Sequence, residues 1–317
     1  MWSIAFKIAG GLYDLRQETH TMTLFSGLSA FSITPTDTAG RVDTATLARL
    51  LERIVVAGVH SIGLLGSTGG YAFLSREERR RAVAAAVESV GGRVPLIVGV
   101  GALRTDEAEI LAHDASKAGA DGLLLAPMSY TPLTEEEVFQ HMSAVATAGG
   151  LPLCIYNNPG TTRFVFSDDL IVRLAEVPNI AAIKMPLSAD GDFRGELVRL
   201  RARLPADFAI GYSGDWGAAG SLLSGGDAWY SVVAGLLPAE ALALTQAAMA
   251  GDGAEAERLD RAFQPLWSLF KEFGSFRVMY AIAELLDLCR VDPPRPVLPL
   301  QPDDVARVRA AVDHLRM

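Results

Sequence analysis

The sequence predicts an α/β fold: a (β/α)8 TIM barrel of parallel strands with a C-terminal helical extension. Eight short apolar runs alternate with longer segments of helical periodicity. The runs are continuously apolar, as strands covered on both faces are. Such alternation also suits a doubly wound sheet, but eight units is the barrel number.

The expected strands are GLSAFSI (27–33), SIGLLG (61–66), PLIVGVG (95–101), GLLLAP (122–127), LPLCIYN (151–157), IAAIKM (180–185), FAIGYS (208–213) and AWYSVV (228–233). Helical segments lie between them, among them 42–59, 74–90, 104–120 and 134–150. Ser75 with Glu78, and Thr134 with Glu137, carry the capping-box spacing. Gly58, Gly119 and Gly149 fall where helix C-caps are expected. Residues 238–290 and 301–316 read as helices without strands between them, separated by an irregular connector at Pro293, Pro294 and Pro296.

The chain has 317 residues, 50% hydrophobic and 21% charged. A barrel takes ~250 residues as one domain. The expected organisation is therefore an N-terminal extension over 1–23, the barrel over 24–250 and the helical extension over 251–317. Net charge is −9, which disfavours a nucleic-acid partner. The locally basic Arg76–Arg81 stretch is interleaved with Glu77 and Glu78 and reads as a solvated helix face. Cys154 and Cys289 make no disulfide framework, and Cys154 sits in an apolar run as a buried thiol. The histidines 20, 60, 113, 141 and 314 lack metal-ligand spacing. No apolar run reaches the ~18 residues of a membrane span. The N-terminus has neither the basic start nor the apolar centre of a signal peptide, so a cytoplasmic protein is expected.

Three features suggest chemistry. Lysine occurs only at 7, 117, 184 and 271, against 24 arginines. Lys184 alone lies in an apolar strand, near its C-terminal end. Lysine is rarely buried unless paired or used, and desolvation makes its amine a better nucleophile near neutral pH. The alternative is a side chain snorkelling to water from the barrel rim. Tyr156 ends the fifth strand, beside the sixth. It suits a proton relay toward Lys184, or a core tyrosine bonded locally. The glycine-rich turn GLLGSTGG (63–70) offers backbone N–H groups and the hydroxyls of Ser67 and Thr68 to a carboxylate or phosphate. It lacks the GK[ST] ending of a P-loop, and a plain tight turn is the alternative. All three features fall at strand C-termini, the active-site face of a TIM barrel. An amine, a phenol and an anion cradle there suit class I aldolase chemistry on a 2-oxo acid.

GLLGSTGGYAFLSREER, YNNPGTT, IAAIKM and YSGDW together resemble the motifs of the dihydrodipicolinate synthase / N-acetylneuraminate lyase superfamily, over about residues 24 to 305. The resemblance implies Lys184 as the Schiff-base lysine and Tyr156 as the proton-relay phenol. It implies Ser67 and Thr68 on the pyruvyl carboxylate, and Tyr230 and Ser231 lining the pocket. It also implies a homo-oligomer, a tetramer or a dimer. The chain departs from the lysine-pathway synthase at three places. Thr161 stands where that enzyme has an arginine for the second substrate. Pro127, Met128 and Ser129 replace its PYY motif, with Tyr130 one place later. Gly70 replaces the glutamate of its GTTGE loop.

The expected protein is a lyase acting on a small 2-oxo acid through Lys184, with Ser67 or Tyr130 completing a relay through Tyr156 and Thr161 beside the substrate. No metal or organic cofactor is expected. Pyruvate or 2-keto-3-deoxy sugar acids fit as substrates. A dehydratase or deaminase shares the same imine, and a non-catalytic keto-acid sensor is the reading of another class. A metal-dependent aldolase would need a His and carboxylate cluster that the sequence lacks.

Overall fold

The computed structural model describes residues 24–316; the expected N-terminal extension lies outside them. Eight strands close a barrel in sequence order: β1 (Gly27–Phe31), β2 (Ser61–Leu64), β3 (Leu96–Gly99), β4 (Gly122–Leu125), β5 (Leu153–Tyr156), β6 (Ile180–Met185), β7 (Ala209–Tyr212) and β8 (Ala228–Ser231). Every neighbouring pair is parallel, and β8 pairs back onto β1. Helices α1 (Thr44–Ala57), α2 (Arg76–Val90), α3 (Thr105–Ala118) and α4 (Glu135–Gly149) connect the first five strands. A short helix, α5 (Pro159–Thr162), precedes α6 (Asp168–Ala175). Then come α7 (Phe193–Arg201), α8 (Ala218–Leu223) and α9 (Pro238–Met249), followed by α10 (Gly253–Phe273), α11 (Ser275–Leu285) and α12 (Pro302–Leu315).

The continuous apolarity of the strands has a direct cause. Along β5, Leu153 and Ile155 pack outward against the helices while Cys154 and Tyr156 turn into the lumen. Outward residues join the sheet to the helix layer in one cluster; Phe31, Ile97, Leu124, Ala182, Ala209 and Tyr230 belong to a second, inner cluster. The inner aromatic rings fit because glycine faces them. A Cβ on Gly63 would come within 2.4 Å of the Phe31 ring, and one on Gly211 within 2.6 Å of the Tyr230 ring. Burial also pushes the Cys154 thiol up to about 12, in line with an inert structural thiol.

Two local expectations are corrected. Gly149 is the last residue of α4, and the cap is Gly150, at φ 63. Gly149 instead admits Leu123, whose Cδ1 would lie 2.4 Å from an added Cβ. The Ser75–Glu78 box closes on one side only. Ser75 accepts from the Glu78 N–H, but the Glu78 carboxylate is drawn off to the Val42 N–H at 2.6 Å. Thr134 and Glu137 form the full reciprocal box. The hydrogen-bonded strands are also shorter than the apolar runs, because tails such as Leu65 and Val100 run past the ladder to build the barrel mouth. Helix α10 packs against α9, α11 and α12 and against the turn at Asp215–Gly217, which brings the α10–α11 corner to that mouth.

Candidate active site

Tyr156 and Lys184 are register partners at the C-terminal ends of β5 and β6. Lys184 is 4% exposed. Among the described residues no carboxylate forms an ion pair with it. Its Nζ is surrounded by rings, 4.1 Å from the centroid of Phe31, 4.3 Å from Tyr156 and 5.6 Å from Tyr230. These faces can attract a cation through their ring quadrupoles but supply no carboxylate to pair with it. The Tyr156 hydroxyl accepts from Asn158 Nδ2 at 2.8 Å, which fixes the phenol in place.

A cavity of about 510 Å³ opens above this pair. Ser67 and Thr68 border it, as do Thr161 and Asn158. The loop carrying Ser67 starts from an unusual backbone: Leu65 has φ 55, in the left-handed region that a branched side chain rarely adopts. Gly99 makes room for it, since a Cβ there would stand 1.9 Å from the Leu65 carbonyl oxygen. Strain held in this way is common where a loop must present groups to a ligand.

The remaining expected positions divide. Thr161 borders the cavity, with its hydroxyl donating to the Asn158 carbonyl. Tyr230 lies beneath Lys184 and is fully buried, with its hydroxyl accepting from Cys154 Sγ at 3.4 Å. It supports the amine from below and does not border the cavity. Ser231 is one residue further along β8 and so faces the other way; its Oγ accepts from the Ala234 N–H at 3.1 Å. Tyr130 is 97% exposed on the β4–α4 loop and is not among the residues bordering its own chain's cavity.

Several residues bordering the site were not singled out from sequence. Phe31 is one, since in sequence it is an ordinary core aromatic. Asp215 is another. Its carboxylate is fully buried and accepts from Trp229 Nε1 and the N–H groups of Val232 and Val233, at 2.7–3.1 Å. Burial pushes this carboxyl up, while those donors and the nearby Lys184 pull against the shift. Asp215 therefore ties the β7 turn to the loop after β8. Tyr71 is a third. It packs beside Gly101 under the Arg79 guanidinium, and burial together with the charge of Tyr156 pushes its phenol up to about 12. A tyrosine inside a glycine-rich loop was the available signal.

A larger groove of about 700 Å³ lies between α2 and α3 on the outer wall. It reaches the ends of β2 and β3 from outside, at Leu65 and Gly99, but includes neither Lys184 nor Tyr156, and its buried Arg79 is committed to the carbonyls of Gly99 and Gly101. We therefore place the site at the barrel mouth. Among the described residues, no three of His, Cys, Asp and Glu gather as a metal site requires.

Residues 24–315 match the dihydrodipicolinate synthetase family. The chain belongs to that family. A crystal structure of dihydrodipicolinate synthase from Agrobacterium tumefaciens superposes with a TM-score of 0.91 at 62% identity, covering 92% of this chain and 98% of that one. The 4-hydroxy-tetrahydrodipicolinate synthase of Pseudomonas putida is 34% identical over 266 residues, 83% of this chain and 89% of its own length. That of Methylococcus capsulatus is 38% identical over 254 residues, 80% of this chain and 86% of its own. Membership of the dihydrodipicolinate synthetase family bears out the expected barrel and the expected class, a Schiff-base lyase of the class I aldolase type.

Proposed function

We propose that Lys184 is the imine-forming lysine of this chain and Tyr156 its proton-transfer phenol. The observation that carries this is the buried amine, without a carboxylate partner among the described residues, in register with a phenol beneath a cavity that Ser67 and Thr68 border. The Lys184 amine adds to the ketone of pyruvate or a related 2-oxo acid. Loss of water gives the protonated imine, which withdraws electrons from the adjacent carbon. Removal of a proton from that carbon gives the enamine. In the cleavage direction a carbon–carbon bond breaks and leaves the same enamine. Tyr156 delivers or removes the proton at the substrate oxygen. The hydroxyls of Ser67 and Thr68 and the loop N–H groups hold the carboxylate. The imine itself serves as electron sink, so the cycle is written without a metal or organic cofactor.

The test is borohydride trapping with pyruvate, followed by peptide mass spectrometry. A reduced pyruvyl adduct on Lys184, absent in Lys184→Ala, is expected. Failure to trap pyruvate or any longer 2-oxo acid, with a working family member as control, overturns the reading.

The same proposal includes a homo-oligomer, dimer or tetramer, in the cytoplasm. Light scattering at assay concentration decides it; a monomer counts against it.

A further inference from the structure

Building on the imine reading, we infer that the far half of the cavity is a subsite for a neutral aromatic group. The second substrate is then an uncharged aryl aldehyde. In cleavage, the substrate is a 2-oxo acid with a 4-hydroxy-4-aryl end.

The cavity has two chemically different halves. Near Lys184 it is polar, with Ser67, Thr68, Tyr156 and Asn158. Beyond them stand Pro186, Leu187, Trp216, Val232, Phe270 and Phe276. Among the described residues Lys184 is the only cation bordering it, and the imine consumes that amine. Among the described residues the only acid there is Asp215, whose two oxygens are taken by three N–H donors. A second carboxylate on the substrate would therefore be desolvated without a partner, which is costly. Three cations near the mouth do not border the cavity: Arg163 at the end of α5, Lys271 over Trp216, and Arg277, whose Nη1 lies 3.8 Å from a Cβ built on Gly274 and donates to the Phe273 carbonyl. A polyhydroxy chain fares little better. Of the hydroxyls at this end, Thr161 already donates to Asn158 O and Ser213 to Met185 O, leaving Ser275.

The apolar wall is held firmly. Phe276 stacks on Phe73 at 6.3 Å between centroids and meets Tyr280 edge-on at 5.2 Å. Phe276 lies in ordinary contact distance over the glycine-rich loop, 3.7 Å from where a Cβ on Gly70 would stand. On the other side, Leu187 is seated against the β7 turn, where a Cβ on Gly214 or Gly217 would come within 2.8 or 2.4 Å of it. Rigid apolar walls around a few polar groups at one end are the usual form of a site for an amphipathic small molecule.

The step balances. The enamine carbon, already one proton short, attacks the aldehyde carbon and forms the new carbon–carbon bond. The carbonyl electron pair moves to the aldehyde oxygen, which takes a proton by way of Tyr156. Water then hydrolyses the imine, returning the Lys184 amine and a 4-hydroxy-2-oxo acid.

The experiment uses the full chain with pyruvate and three aldehydes: benzaldehyde, succinic semialdehyde and glyceraldehyde. Product formation is followed by mass spectrometry, with borohydride trapping of pyruvate run in parallel. The expected result is a pyruvyl adduct and a kcat/KM for benzaldehyde at least about tenfold above the other two. Phe276→Ala and the milder Phe276→Leu should lower the benzaldehyde value about tenfold more than they slow trapping. A normal adduct with preference for the carboxylated or polyhydroxy aldehyde overturns the aromatic subsite and leaves the imine reading standing. Absence of any adduct overturns both.

Discussion

Replacing Gly63 by alanine tests how the reactive amine is positioned. The Phe31 ring lies across Gly63 and Gly66, where added Cβ atoms would sit 2.4 and 2.6 Å from it. The same ring lies 4.1 Å below Lys184 Nζ. Gly63 has ordinary strand geometry, so alanine meets no backbone obstacle and the strain falls on the ring. Carbon atoms need ~3.5 Å, so the ring must withdraw by about 1 Å. Overpacking of this kind costs roughly 1–3 kcal/mol. The midpoint of thermal unfolding should then fall by roughly 2–12 °C, at 2–4 °C per kcal/mol for a domain of this size class. A shift of about 1 Å at a reacting group can cost on the order of 100-fold in rate. The assay pairs the rate of borohydride trapping with a thermal melt. Turnover within about threefold of the parent protein, in a variant that melts earlier, would show that Phe31 does not set the amine's position.

Tyr156→Phe should keep the fold and lower kcat by about 10²- to 10⁴-fold, the span for loss of a positioned proton carrier; steady-state kinetics beside a circular dichroism spectrum check it, and an unchanged kcat removes Tyr156 from the mechanism. Asp215→Asn sets an amide N–H₂ against a cluster of N–H donors and should cost about 3 kcal/mol, the upper range for hydrogen bonds to a charged group. Urea denaturation measures it, and a loss below about 1 kcal/mol contradicts the tether assigned to this residue. Asp43 caps α1 by accepting from the N–H and hydroxyl of Thr46, and those bonds hold its carboxyl below the usual value of 3.8. A folded-state value below the unfolded one gives stability that is full above about pH 4 and fades as pH falls through the folded value. Asp43→Ala should therefore cost about 1 kcal/mol at pH 7 and progressively less below pH 4; an equal cost at both ends of that range contradicts the cap.

How much of this could be read in advance depended on whether a signal was local. Eight apolar runs mark the barrel because both faces of each strand are buried, and Lys184 stands out because arginine serves wherever this chain needs a surface cation. Tyr156 follows from adjacency of β5 and β6. The aromatic setting of Lys184 was not readable. Phe31 lies at the far end of the chain from β6, and its role depends on two glycines in a third segment. Ser231 shows the limit of matching by motif: strand parity turns it outward although Tyr230 beside it faces the lumen. Tyr130 shows another, since an aromatic displaced by one place in a loop points into solvent. Phe276 was hidden because its importance depends on a helix corner folding back across the barrel mouth.

The α10–α11 corner carries a consequence for how the protein comes into being. Phe276 follows Lys184 by 92 residues, so a ribosome adding roughly 5–20 residues per second makes the amine roughly 5–20 s before the segment that covers it. For that interval the nascent chain has the amine proposed for the chemistry but not the aromatic wall beside it. A chain that stops short of α11 has every group proposed for the chemistry and an unfinished chamber, open to bulk water. Truncation before α11 should thus open the chamber and, by removing the buried Val278, Met279, Ile282 and Ala283, loosen the helical layer at the same time.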